Sequence, residues 1–251
     1  MITIAVANQK GGVGKTTTTI NLATYFARLG KRVLLVDLDP QGNASSGLGI
    51  DKDRLENSLY DVLVDSMPVN SVLHQTKTKH LQVIPASAVL AAAELELAAL
   101  PQRESRLKAA LSQLDYDIVL IDCPPSLGLL TINGLVAADR VLIPVQAEYY
   151  ALEGLGQLIQ TIGRVKQALN PSLALIGVVL TMHTARTSLS QAVAREVQHH
   201  FPDMVCSTVI PRNIRLAEAP SHGKSIAEYD RFSKGARAYK ALAKEILNRV
   251  N

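Results

Sequence analysis

Cysteine is scarce in this chain. Two of the 251 residues are cysteines, Cys123 and Cys206, and they form no C-x-x-C pair. This spacing argues against a disulfide framework, a zinc site or an iron–sulfur cluster, and it indicates a reducing compartment. Apolar runs are short, and none reaches the roughly 18 residues that a membrane-spanning helix needs. No signal peptide opens the chain, because a strand-like run begins at Ile2, so we expect a cytoplasmic protein.

Excess charge of one sign is confined to one part of the chain. The whole chain carries a formal net charge of +4. From Arg212 onwards there are nine Lys and Arg against four Asp and Glu, a surplus of five, so the preceding residues carry a net charge of −1. This asymmetry favours a polyanionic partner. A solvated basic helix explains the charge alone equally well.

A glycine-rich segment near the start of the chain carries the strongest chemical signal. Residues 10–17 read Lys-Gly-Gly-Val-Gly-Lys-Thr-Thr. They lie between a β-branched apolar run at residues 2–6 and an apolar-periodic stretch at residues 18–29. A strand, a glycine loop and a helix in this order are the context of a phosphate-binding loop. The glycines let backbone N–H groups turn towards an anion, and the helix start adds its own N–H groups and dipole.

Two side chains in this loop have expected roles. Lys15 would supply positive charge to the β- and γ-phosphates of a nucleotide, and the Thr16 hydroxyl would ligate Mg²⁺. The plainer interpretation is a glycine turn between a strand and a helix, which the context disfavours. The predicted nucleotide contacts of the loop are Lys10, Gly11, Gly12, Val13, Gly14, Lys15, Thr16 and Thr17.

The loop departs from the usual phosphate-loop pattern at one position. G-x-x-x-x-G-K-[ST] requires a glycine where this chain has Gln9, and a second lysine, Lys10, precedes the double glycine. This arrangement resembles the deviant Walker A motif of the ParA/MinD branch of P-loop ATPases. The resemblance implies that Lys10 reaches across a dimer interface to the nucleotide of the other subunit.

Two further apolar runs end in aspartates. Residues 33–36 are followed by Asp37-Leu38-Asp39-Pro40-Gln41-Gly42, and residues 116–121 are followed by Asp122. Carboxylates at the carboxyl ends of parallel strands face the ligand crevice of such a sheet. An ordinary polar turn would explain the first segment alone, but it is similar to the D-x-D-P-Q-G signature of ParA/Soj proteins. That resemblance gives Asp39 a role in orienting the attacking water. Residues 116–122 have the form of a Walker B motif, whose final carboxylate, Asp122, approaches the Mg²⁺ shell.

These motifs define the expected site residues. The predicted Mg²⁺ ligands are Thr16, Asp39 and Asp122. The predicted catalytic residues are Lys10, Lys15 and Asp39.

Apolar runs and helical stretches alternate along the rest of the chain, and no linker or repeat interrupts them. This alternation predicts one α/β domain over residues 1–251, with a single doubly wound, mostly parallel sheet and helices on both faces. The predicted strands are residues 2–6, 33–36, 81–85, 116–122, 140–145, 173–182 and 204–210. The predicted helices are residues 18–29, 90–100, 103–114, 127–137, 152–169, 188–199 and 234–250, with an exposed loop at residues 217–224.

Nearly the whole chain resembles the small chromosome-partitioning ATPases of the ParA/Soj type, least so at residues 51–100. The resemblance implies slow, Mg²⁺-dependent ATP hydrolysis and a homodimer in the ATP state that binds DNA without sequence preference, hence a nucleoid-associated protein. It also implies a ParB/Spo0J-type centromere-binding partner that stimulates hydrolysis. Pro211 and Asn213 match adenine contacts of the family, and Arg186 and Arg215 match its DNA contacts. Surface arginines in local ion pairs are the plainer interpretation of the last two.

Two other functions share parts of this pattern. A MinD-type, membrane-cycling positioning ATPase has the same nucleotide motifs and would need an amphipathic terminal helix. Tyr239, Leu242, Ile246 and Val250 fall near one face of such a helix, but a packing helix explains them more economically, so we expect no membrane partner. A metal- or iron–sulfur-handling relative would need paired cysteines, which this chain lacks. The cargo, whether chromosome, plasmid or another assembly, stays open.

Overall fold

One central sheet organises the part of the chain that the structure describes. The structure is a computed structural model, and it describes residues 1–147, 151–184 and 187–250. The strands of the sheet are β1 (Ile2–Val6), β2 (Val33–Asp37), β3 (His74–Gln75), β4 (Leu81–Ile84), β5 (Ile118–Asp122), β6 (Arg140–Gln146) and β7 (Ala174–Thr181). Their order is β3-β4-β2-β5-β1-β6-β7. All neighbours are parallel except β3 and β4. The predicted mostly parallel sheet is confirmed.

Helices cover both faces of this sheet. They are α1 (Lys15–Arg28), α2 (Asn43–Gly47), α3 (Leu59–Leu63), α4 (Ala93–Glu96), α5 (Arg106–Leu111), α6 (Leu129–Ala137), α7 (Ala151–Ala168), α8 (Ser188–His200), α9 (Ile214–Glu218), α10 (Ile226–Tyr229) and α11 (Lys234–Val250). One apolar cluster joins α1, α10 and α11 to the sheet, and another joins α3, α5, α6, α7 and α8 to its other face. The predicted doubly wound architecture is therefore confirmed.

Strand β1 illustrates how the sequence builds both cores. Ile4 and Val6 pack in the cluster under α1 and α11, whereas Ala5 and Ala7 pack in the opposite cluster. Successive side chains of a strand point to opposite faces, so a parallel strand that is covered on both sides must be apolar throughout. This is why the continuous apolar runs of the sequence predicted strands correctly.

The topology creates a crevice between β1 and β5. From β1 the chain crosses over β5 to reach β2, whereas from β5 it crosses over β1 to reach β6. Connections that leave adjacent strands in opposite directions open a gap at their carboxyl ends, which is the usual ligand position in such sheets. In register, Val6 faces Asp122, and Asp122 faces Asp37 on β2. The crevice therefore has carboxylates along one side.

The strand predicted at residues 204–210 is wrong. That segment makes isolated bridges, Val178 to Val205 and His183 to Pro211. Four backbone hydrogen bonds join the segment to β7 and His183, at residues 204, 206 and 210. Between these points Glu245 of α11 accepts hydrogen bonds from Ser207 N and Thr208 N at 2.7 and 2.8 Å, and Arg249 donates to the carbonyl oxygens of residues 204 and 205. Because side chains bond these backbone groups, the segment follows the edge of β7 without forming a continuous ladder.

Two other predicted elements also differ. Residues 90–100 do not form one helix but a 3₁₀ turn (Ala88–Ala92), α4 and a second 3₁₀ turn (Leu97–Ala99). Residues 217–224 are exposed at four positions, as predicted, but they do not form an irregular loop, because they end α9 and continue as a 3₁₀ turn (Ala219–His222) with Ala219 buried. A Cβ on Gly223 would lie 2.8 Å from the Gly49 Cα, and both glycines have positive φ. This backbone-on-backbone contact explains the packing of the turn.

Candidate functional site

The glycine loop is anchored at three points. Asn8 begins it, with Nδ2 donating to the Pro144 carbonyl at 2.7 Å and Oδ1 accepting from Lys10 N at 3.0 Å. In its middle, Thr181 Oγ1 at the end of β7 donates to Val13 O at 2.7 Å. At its end, Gly14 adopts φ +89° and precedes the first residue of α1. Helix α1 begins at Lys15, three residues earlier than predicted, so its first N–H groups belong to the loop. This geometry is an anion-binding nest.

Lys15 folds back beneath this loop. The side chain is buried, with 7% exposure, and Nζ donates to the Lys10 carbonyl at 3.1 Å. Burial lowers the pKa of Lys15, and the nearby Asp122 and Asp39 carboxylates oppose that shift. Lys10 itself is half-buried. The two lysines of the motif are therefore joined through one hydrogen bond, with Lys15 inside the site and Lys10 at its rim.

Asp122 ends β5 opposite the start of α1. It is fully buried, and Thr19 Oγ1 donates to its Oδ1 at 3.0 Å. The Thr16 side chain lies beside it. Burial, and next to that the charge of Asp37, raise the pKa of the Asp122 carboxyl. Three predicted residues, Thr16, Asp39 and Asp122, thus lie together around Lys15.

One atom of this group indicates that a cation fits here. Asp122 Oδ2 is buried and has no hydrogen-bond partner among the residues that the structure describes. Such an atom is costly to bury unless something binds it. Mg²⁺ is usually held by one or two carboxylates together with phosphate oxygens. A divalent cation at Asp122 would satisfy this oxygen and offset the repulsion between Asp122 and Asp37.

The turn after β2 brings Asp39 to the same edge. Asp39 is 7% exposed, and its Oδ1 accepts a hydrogen bond from Gln41 N at 3.0 Å. Asp37 is fully buried and accepts hydrogen bonds from Ser45 and Asp39 rather than facing the crevice alone. The two aspartates therefore differ in surroundings: Asp37 is enclosed in the fold, and Asp39 lies within electrostatic reach of Lys15 and Asp122.

A cavity of about 370 Å³ adjoins the far side of the loop. Gly14 and Thr17 form one wall, and Pro211 and Asn213 contribute to the other. Asn213 Oδ1 is buried without a hydrogen-bond partner within the described ranges. Tyr239 of α11 also lines the cavity, and its hydroxyl bonds Thr18 Oγ1 of α1 at 3.1 Å. The cavity is mostly apolar, beside the phosphate loop, with one buried acceptor available.

The two arginines predicted to bind DNA have different outcomes. Arg186 lies outside the described residues. Arg215, in α9, is exposed, and it donates to Glu218 Oε2 at 2.9 Å and lies 3.7 Å from Asp230 Oδ2. The Glu218 hydrogen bond and charge, and next to them Tyr229, raise the pKa of Arg215. The plainer interpretation, a surface arginine in local ion pairs, thus describes the contacts of Arg215.

Several residues that shape the site carry no motif signal. They are Asn8, Thr19, Ser45 and Thr181, and each acts by bonding a neighbour in space. Only the positions of Asn8 and Thr181 hint at this, since Asn8 lies just after β1 and Thr181 ends β7. Asp37 belongs to the D-x-D-P-Q-G signature, but the signature does not indicate its hydrogen bonds with Ser45. The partners are between 2 and 168 residues away, and sequence periodicity does not report such pairings.

A buried lysine under a glycine loop, a helix start, and carboxylates at two strand ends define a P-loop nucleotide-binding protein of the ATPase class. Comparison with known proteins agrees. Residues 1–175 match a family model described as an AAA domain. The chain is 58% identical over 245 residues to the sporulation initiation inhibitor protein Soj of Bacillus subtilis, covering 97% of each chain. It is 52% identical over 250 residues to the chromosome partitioning protein ParA of Caulobacter vibrioides, covering 98% of this chain and 94% of that one.

A solved structure is similar over the full length. It is described as cobyrinic acid a,c-diamide synthase from Mycobacterium smegmatis with bound ATP analogue and magnesium, and it is 40% identical with a TM-score of 0.88. The match covers 100% of this chain and 96% of that chain. This chain belongs to the ParA/Soj family of chromosome-partitioning ATPases. The resemblance indicated by the motifs is confirmed.

Replacing Lys15 by Ala is expected to remove ATP binding. A charge-assisted hydrogen bond contributes about 1.5–3 kcal/mol, so each phosphate hydrogen bond that Lys15 makes is worth about 10- to 150-fold in affinity. Calorimetric titration of ATP with Mg²⁺ measures the change. Lys31→Ala is the matched control, because Lys31 is exposed beside Met1 and Ile2 at the opposite end of β1. Wild-type affinity in Lys15→Ala would refute the assignment of the loop.

Proposed function

We propose that this protein is a dimerising ATPase that moves DNA cargo by a cycle of ATP binding and hydrolysis. The observation that carries the proposal is Lys15 buried under the loop between Lys10, Asp39 and Asp122. ATP would bind with its phosphates against the N–H groups of Gly11 to Thr17 and against Lys15. Phosphoryl transfer needs positioning and charge neutralisation rather than a nucleophilic side chain, and this site provides both.

Each residue then has a role in the chemistry. Mg²⁺ would be held by the Thr16 hydroxyl and the free oxygen of Asp122, with Asp39 nearby, and it would neutralise charge on the phosphates. Asp39 would orient the attacking water. The solved structure with bound ATP analogue and magnesium supports ATP and Mg²⁺ as the species that this site would bind.

The adenine would occupy the cavity between Thr17 and Pro211. Asn213 Oδ1, buried and without a partner among the described residues, is an acceptor suited to the adenine amino group. The Asn213 amide also carries an NH₂ group that can donate to a ring nitrogen of the base.

Dimerisation would follow from Lys10. Its half-buried position at the rim leaves it outside the Lys15 pocket, although its carbonyl holds the Lys15 ammonium group. A lysine at this rim is suited to the phosphates of a nucleotide bound by a second copy. Slow hydrolysis would then limit the lifetime of the dimer, and a ParB/Spo0J-type centromere-binding partner would shorten it.

Non-specific DNA binding is proposed for the basic face near α9 and α11. Arg215 is ion-paired with Asp230, which lies four residues before α11. Along α11 the exposed cations are Lys234, Arg237, Lys240 and Lys244. Cations spread along one helix attract a phosphate backbone without reading its sequence. Such binding would associate the dimer with the nucleoid.

The MinD-type alternative is disfavoured by the packing of α11. Its apolar residues Tyr239, Leu242 and Ile246 are 0–1% exposed because they pack in the core under α1. They are therefore unavailable for a membrane surface without unfolding the helix. Within the described ranges, no helix is long and apolar enough to cross a bilayer. Co-sedimentation with anionic vesicles in ATP would test the alternative directly.

Lys10→Ala is expected to leave ATP binding by monomers intact but to weaken the ATP-dependent dimer, since the missing charge acts on the other subunit. Light scattering in ATP or a non-hydrolysable analogue, over a range of protein concentrations, measures the dimer. Lys108→Ala, on the exposed side of α5, controls for loss of a positive charge. A Lys10→Ala protein that dimerises as the wild type does would exclude the cross-subunit role.

Asp39→Ala is expected to bind ATP and dimerise but to hydrolyse it very slowly, because the water would lose its orienting carboxylate. Loss of such a positioned group typically costs about 10²–10⁴-fold in rate. Phosphate release measures kcat, and DNA retention in ATP reports the persistent dimer. Asp53→Ala, which removes an exposed aspartate, is the control. Normal turnover by Asp39→Ala would move the role to another residue.

Arg215→Ala and Arg186→Ala are each expected to weaken binding alike on unrelated DNA sequences. Removing one phosphate contact should reduce the slope of log K against log salt by about 0.9, or about twice that per dimer. ATP binding and dimerisation should persist. Fluorescence anisotropy at several salt concentrations measures both the affinity and its salt dependence.

Arg54→Ala is the matched control for this DNA experiment. Arg54 is an exposed arginine paired with Asp51 in the same i, i+3 relation as Arg215 with Glu218. If neither Arg215→Ala nor Arg186→Ala changes affinity at any salt concentration, the DNA surface lies elsewhere. Combined replacement of Arg237, Lys240 and Lys244 by Ala would then test α11.

A further inference from the structure

A buried carboxylate outside the proposed chemistry holds the segment that carries Asp39. Asp37, the last residue of β2, is fully buried. Its Oδ2 accepts hydrogen bonds from Ser45 N at 2.7 Å and Ser45 Oγ at 2.6 Å. Its Oδ1 accepts a bond from Asp39 N at 3.3 Å. One carboxylate therefore ties both ends of residues 39–45 to the end of the strand.

The Ser45 hydroxyl has a second partner that fixes the direction of its proton. Ala86 N, just beyond β4, donates to Ser45 Oγ at 3.1 Å. Because the oxygen accepts from Ala86, its own proton is directed to Asp37. Ser45 is fully buried, so replacing it by an apolar residue would leave Ala86 N without this partner and would leave Asp37 Oδ2 with the Ser45 N–H alone.

The turn also rests against Ala86 at another point. Gly42 closes the turn by donating its N–H to Asp39 O at 2.9 Å, and it has φ +62°. A Cβ at Gly42 would lie 2.8 Å from Ala86 O. Two contacts with one backbone residue, through Ser45 and through Gly42, thus fix the Asp39 turn relative to the sheet.

We infer that Ser45 is a positioning residue for ATP hydrolysis, which sets the position of the Asp39 carboxylate through Asp37 and Ala86. The inference rests on the proposed role of Asp39. A displacement of about 1 Å in a reacting group can cost about 10²-fold in rate. ATP affinity is set at the glycine loop, and Ser45 makes no contact with that loop through the hydrogen bonds described. Replacing Ser45 should therefore lower the rate of hydrolysis without changing the affinity for ATP.

The test separates kcat from ATP affinity in Ser45→Ala. We expect kcat to fall about 10- to 100-fold, with the Kd for ATP unchanged within about twofold and the ATP-dependent dimer retained.

Ser46→Ala is the matched control. Ser46 lies in the same helix, and its Oγ donates to Gly42 O at 3.1 Å without touching Asp37. Ser45→Thr keeps the hydroxyl and should recover most of the rate. If Ser45→Ala does not fold, Ser45→Cys is used in its place, because it weakens the same hydrogen bonds at similar volume.

A double variant tests whether Ser45 acts through Asp39. The rate of Ser45→Ala/Asp39→Ala should equal that of Asp39→Ala alone, because two residues that act as a unit are not additive. Wild-type kcat in Ser45→Ala, an equal loss in Ser46→Ala, or a double variant slower than Asp39→Ala would overturn the inference. Normal hydrolysis by Asp39→Ala would instead refute the proposed function, so the two failures are distinguishable.

Discussion

Two buried carboxylates side by side are the constraint on which the site depends. Asp37 and Asp122 are register partners at the ends of β2 and β5, and both are fully excluded from solvent. Burying an ion costs several kcal/mol, and like charges on adjacent strands add to that cost. The surrounding residues supply the compensation. Ser45 and two backbone N–H groups bond Asp37, whereas Thr19 and the nearby Lys15 ammonium group balance Asp122.

The two carboxylates are compensated to different degrees, and this difference distinguishes the structural role of Asp37 from the proposed metal-binding role of Asp122. Asp37 accepts three hydrogen bonds from its own segment, so its carboxylate is satisfied within the fold. Asp122 keeps one buried oxygen without a partner in the described part of the chain. A fold that leaves such an atom gains free energy from any cation that binds there. The Asp122 oxygen therefore favours a divalent cation at this edge of the sheet.

The sequence predicted most of the strands and the position of the glycine loop well because each is a local pattern. A parallel strand covered on both faces must be apolar, and a phosphate loop needs its glycines and its lysine in fixed order. The failures have a physical origin too. Residues 204–210 look like a strand and make four backbone hydrogen bonds to β7 and His183, but Glu245 of α11 takes the N–H groups of Ser207 and Thr208 between them. This interruption depends on where a distant helix docks. The pairing of Ser45 with Asp37, or of Thr181 with Val13, likewise arises only after folding.

Helix α11 joins the nucleotide site to the proposed DNA surface. Its inner face is core, and there Tyr239 lines the cavity proposed for adenine and bonds Thr18 of α1. Its outer face carries the exposed cations of the basic region. Because both faces belong to one helix, a bound base that moved the α11 backbone at Tyr239 would also move those cations. A bound ligand can change the affinity at a second site only if it makes different contacts in the two conformations of the protein. The proposed coupling of ATP to DNA binding would therefore need contacts of α11 that differ between the two states, and Tyr239 is the α11 residue that lines the cavity.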